Sequence, residues 1–73
     1  MRNLILAYER GRHRIDVMKN ALESLGQSVI VVTDNFDDIE GPFDRIWSIS
    51  ESLLPIQAQL ELKWGINNLS ISA

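Results

Sequence analysis

Seventy-three residues with seven Lys and Arg against ten Asp and Glu give a net charge of −3. One domain at most fits this length, and a chain this short buries only about 60% of its unfolded surface. The acidic balance argues against a general nucleic-acid face; the absence of Cys excludes a disulfide framework and a thiolate metal site, and points to a reducing cytoplasm.

The first element is a short apolar run, Asn3 to Ala7, read as a buried strand. A basic loop follows: Glu9-Arg10-Gly11-Arg12-His13-Arg14, holding three of the seven Lys and Arg and the only His. A helical pattern begins near Ile15, with Met18, Leu22 and Leu25 on its apolar stripe and Gly26 as its stop. Val29-Ile30-Val31-Val32 is β-branched throughout and reads as a second buried strand. Strand, helix and strand make a βαβ unit with a right-handed crossover.

Asp34 to Asp44 is an acidic connection in which Phe36 and Ile39 allow one apolar turn of helix. Its acids lack the spacing and the terminal Glu of a calcium loop, so it reads as a solvated loop and no metal site is assigned. Arg45 to Ile49 reads as a third strand. From Ile56 to Trp64 apolar and polar residues alternate, as in a half-buried strand. The residue types are helix formers instead: Ala, Leu, Gln, Glu and Lys. Pro55 suits a first helical turn, Ser50 or Ser52 a cap, and Gly65 a stop, so helix is expected. A short fourth strand is expected near Leu69 to Ile71. The whole predicts a small open parallel α/β sheet of about four strands, in order 2-1-3-4, as in half of a Rossmann-like fold. With so few helices an open sheet of this kind is poorly covered, so further chain of a larger protein is expected.

In open α/β sheets ligands sit at the carboxyl ends of strands, where strand order reverses. Here that point lies between the first and third strands, beside loops 8–14 and 48–54. The first offers Arg10, Arg12, His13 and Arg14 around Gly11; the second offers Ser50, Glu51 and Ser52. A helix N-terminus disfavours cations by about 0.3–1 kcal/mol each. Cations placed there are therefore either splayed into water or used to hold an anion. Surface arginines are usually just solvated, and Glu51 near a helix start is also simply stabilising. No dinucleotide glycine fingerprint, no phosphate-binding P-loop and no defensible nucleophile–His–acid triad is present, so no catalytic residue is assigned. A phosphorylation receiver fits poorly, because the first strand ends Ala7-Tyr8-Glu9 and the third in Ser.

Ser50-Glu51-Ser52-Leu53-Leu54-Pro55, the helix Ile56 to Trp64, and Gly65-Ile66-Asn67-Asn68-Leu69-Ser70 resemble the end of the N-terminal domain of ATP-grasp ligases, closest in flavour to the carboxylate–amine ligases. Leu25-Gly26-Gln27-Ser28-Val29-Ile30-Val31-Val32 agrees with that pattern, and Glu9-Arg10-Gly11 is similar to the Asn-Arg-Gly turn of biotin carboxylases. The resemblance covers essentially the whole chain, through motifs that many Rossmann-like domains share. It implies a pre-ATP-grasp domain that is non-catalytic by itself and needs the rest of an ATP-grasp polypeptide or a split-gene partner. It also implies that ATP and magnesium belong to later domains and that no cofactor is held in this chain. A small carboxylate substrate would face Arg10 to Arg14 and Ser50 to Ser52, with an interdomain or homodimer interface nearby. Many relatives have a Gly-richer first loop, a departure that bears on Arg10 and Arg12. The alternative class is an autonomous α/β module for small anions or protein contacts. Neither nucleic acid nor membrane is expected as a partner.

Overall fold

The computed structural model describes residues 1–10 and 12–66, with Arg12 through its backbone only. Three parallel strands form one sheet: β1 (Arg2–Leu6), β2 (Ser28–Val32) and β3 (Arg45–Ser48), in the order β2-β1-β3. Two helices accompany them, α1 (Arg12–Ser24) and α2 (Leu54–Trp64). The α/β class and the parallel sheet are as expected. The described sheet has three strands rather than about four, so the order 2-1-3-4 is replaced by 2-1-3, and the segment near Leu69–Ile71 lies outside the described residues.

The register explains the two-sided core. Leu4 pairs with Ile30 and Ile46, while Ile5 pairs with Val31 and Trp47. Successive side chains point to opposite faces. Leu4, Leu6 and Ile46 therefore meet Ile39, Phe43, Leu53 and Leu60 on one face. On the other, Ile5 and Ala7 meet Ile15, with Met18, Val29, Val31 and Trp47 packed around them. β1 is covered on both sides, so Leu4, Ile5, Leu6 and Ala7 are fully buried, as a continuous apolar run requires.

The outer strands differ. β2 is half-buried, and Ile30 is 46% exposed, so the expectation of a second buried strand fails. Its residues are right for a strand, but among the described residues it is an edge with little above it on the Leu4 face. Leu25 also leaves the predicted apolar stripe, at 71% exposed, because α1 ends at Ser24. The Gln27 amide donates to the Leu22 carbonyl and the Gly26 amide to the Glu23 carbonyl, with Gly26 at φ 79°. This pairing stops a helix through a left-handed residue. α2 ends the same way at Gly65, φ 68°, with the Ile66 amide donating to the Glu61 carbonyl.

Segment 56–64 is helical despite its alternation, and the acidic connection contains one 3-10 turn, Phe36–Asp38. Among the described residues one polar side chain is wholly buried. Asn3 donates to Gln27 Oε1 at 2.8 Å and to the Ser28 carbonyl at 3.3 Å, and accepts from Trp47 Nε1 at 3.1 Å. The amide thus ties the central strand to both neighbours, and its hydrogen-bonding groups are used.

Candidate functional site

β1 is the central strand, and the chain leaves it toward β2 over one face and reaches β3 over the other. The reversal of strand order thus falls at the carboxyl ends of β1 and β3, where sequence placed it. Two backbone bonds fix those ends: the Ala7 amide donates to the Val32 carbonyl at 3.0 Å, and the Ile49 amide to the Leu6 carbonyl at 3.0 Å. The loops leaving β1 and β3 therefore start side by side.

A side-chain contact joins them. The Tyr8 hydroxyl lies 2.7 Å from Ser52 Oγ, and Ser52 Oγ lies 3.1 Å from Ser50 Oγ. Ser50 also accepts from the Ser52 amide at 3.4 Å, starting the 3-10 turn Glu51–Leu53 that leads into α2. Three hydroxyls are thus in line at the switch point, and hydroxyls both donate and accept. Sequence reasoning assigns Tyr8 no role at the site. Its position directly after a buried strand was the available signal.

The cations are arranged differently from expectation. α1 starts at Arg12, three residues before Ile15, so Arg12, His13 and Arg14 form its first turn instead of a loop before it. That turn contains no acidic residue, so the helix dipole meets basic groups alone. Arg10, His13 and Arg14 are exposed, as is Glu51, while Ser50 is half-buried. Gly11 lies outside the described residues. The structure joins Tyr8, Ser50 and Ser52 through hydrogen bonds; it shows no bond linking the described cations to Glu51.

Concave surface lies elsewhere. One groove of about 430 Å³ runs beside β2, and another of about 320 Å³ lies between α1 and the end of β2. An almost wholly apolar one of about 170 Å³ is formed by Met18, Ala21, Leu22 and Trp47. Tyr8 and Ser52 are exposed, and Ser50 is half-buried. Among the described residues no group of His, Asp and Glu could hold a metal ion, and no helix is long and apolar enough to cross a membrane. No protein-family model, curated protein or solved structure matches the chain.

Proposed function

We propose that this chain is the substrate-side domain of an ATP-dependent carboxylate–amine ligase of the ATP-grasp kind, non-catalytic by itself and working in the cytoplasm. Its part is to present a small carboxylate or acyl phosphate from the switch point to catalytic walls supplied by other domains, which would bring ATP and magnesium. One observation carries the reading: the Tyr8–Ser52 contact, which draws the β1–α1 loop against the turn after β3. The contact gathers hydroxyls at the carboxyl ends of β1 and β3, and the helix that follows β1 has a basic first turn. Hydroxyls orient an anion, and the helix start with its arginines supplies positive potential. The resemblance of Ser50–Pro55 and of the helix behind it to ATP-grasp ligases supplies the reaction class.

Amide shift titration of the whole chain with inorganic phosphate, and separately with a small dicarboxylate, tests the binding. Shifts confined to residues 9–15 and 50–53, weakened in Tyr8→Phe, are expected. No change across those residues removes the anion reading. Sequencing the gene past codon 73 tests the ligase reading separately. A frame that continues into a glycine-rich loop supports it, and a stop codon there favours an autonomous anion-binding module. The isolated chain is expected not to hydrolyse ATP.

A further inference from the structure

The connection from β2 to β3 passes over the Leu4 face of the sheet, since Ile39 and Phe43 pack there with Leu4 and Leu6. Between these strands lie only residues 33–44, and their sole helical element is the 3-10 turn Phe36–Asp38. α2 sits toward β3, held by Gln57, which donates to the Ile46 carbonyl at 3.2 Å and bonds Ser48. A parallel sheet ordinarily has helices on both faces. Among the described residues, no helix lies over β2 on this face.

The groove left there has Ile30, Val32, Ile39 and Phe43 on its floor and Asp34, Asp38 and Glu40 on its rim. The described residues that line it include no Lys or Arg; Arg2 lies behind Phe43, its guanidinium 4.8 Å from the ring centre and bonded to the Pro42 carbonyl. The rim acids are exposed, and Asp37 beside them is exposed as well. The floor ends in Ile30, 46% exposed on an edge strand. An apolar floor with a rim of one charge selects an occupant with an apolar stripe and opposite flanking charge.

We propose that this groove seats a basic amphipathic helix of a partner polypeptide, its apolar stripe on Ile30 and Val32 and its lysines or arginines against Asp34, Asp38 and Glu40. The inference is independent of the anion reading, because it uses none of the switch-point residues. A second copy of this chain is a poorer occupant, because each copy carries a net charge of −3.

The test is methyl and amide shift titration of the full chain with a fourteen-residue synthetic Leu/Lys amphipathic peptide, against a Leu/Glu peptide of the same pattern. The Leu/Lys peptide is expected to shift Ile30, Val32, Ile39, Asp34 and Asp38, and the Leu/Glu peptide to leave them in place. Ile30→Thr, tolerable on a half-exposed strand position, should weaken binding about fivefold, the equivalent of roughly one buried methylene or slightly more. Asp34→Asn with Asp38→Asn should also weaken it. Asp16→Asn with Glu23→Gln, which changes the net charge equally on α1, should not. Equal weakening by both pairs, or equal binding of both peptides, overturns the proposal. So do Ile30 shifts that appear on concentrating the chain alone, which assign the groove to a second copy. Nuclear Overhauser contacts from Leu69 or Ile71 to Ile30 also overturn it, by assigning the groove to the chain's own end.

Discussion

Arg14→Glu separates binding from folding at the start of α1. Arg14 is exposed and occupies the third position of a helix whose first turn lacks acids. Removing a cation there relieves about 0.3–1 kcal/mol, and installing an anion adds a similar amount, so about 0.6–2 kcal/mol of stabilisation is expected. For a domain of this size that corresponds to a melting temperature higher by roughly 2–16 °C. The gain should shrink in 1 M salt, where the screening length falls to about 3 Å. Thermal and urea unfolding followed by circular dichroism, in 20 mM and 1 M sodium chloride, measure both quantities. The same variant should lose its response to phosphate. In the native chain, phosphate at ten times its dissociation constant adds about 1.4 kcal/mol by mass action. An Arg14→Glu protein that is no more stable at low salt refutes the dipole argument. One that is more stable yet keeps the full phosphate response refutes the role of this arginine in the site.

Asn3→Leu keeps the branching at Cγ in a larger side chain, but removes the three hydrogen bonds of the buried amide and leaves Trp47 Nε1 without its acceptor. A loss of about 2–4 kcal/mol is expected by urea unfolding, and Trp47→Phe should cost less in that background than in the native chain. Gly41→Ala drives a Cβ into the Trp64 indole, which is itself packed on Phe43 at 5.5 Å between ring centres. About 1–3 kcal/mol of destabilisation is expected by the same assay, with altered tryptophan fluorescence. Gly65→Ala forces a left-handed residue with a side chain at the end of α2, in open space, and should cost about 1–2 kcal/mol. Leu62→Gln, at a position 86% exposed, should unfold within about 0.5 kcal/mol of the native chain.

Local chemistry made much of the fold legible. The unbroken run Leu4–Ala7 could only be a strand covered on both faces, and the structure buries it completely. Gly26 and Gly65 announced helix ends because a left-handed residue is cheap only there. Residue type outvoted alternation at 56–64, since helix formers without β-branching lose little freedom in a helix. Chain order then placed the switch point, because a right-handed crossover allows few arrangements of βαβ units.

The sequence by itself thus determined the three described strands, the two helices, their order and the point where strand order reverses, all of which depend on neighbours in the chain. Coverage was decided by tertiary structure alone: whether Val29–Val32 is a core strand or an edge depends on what passes over it, and a connection of twelve residues with one helical turn passes too thinly. The same holds for the site. The basic residues and the serines were visible as letters, but Tyr8 and Ser52 stand 44 positions apart, and only parallel pairing of β1 with β3 brings their hydroxyls within 2.7 Å.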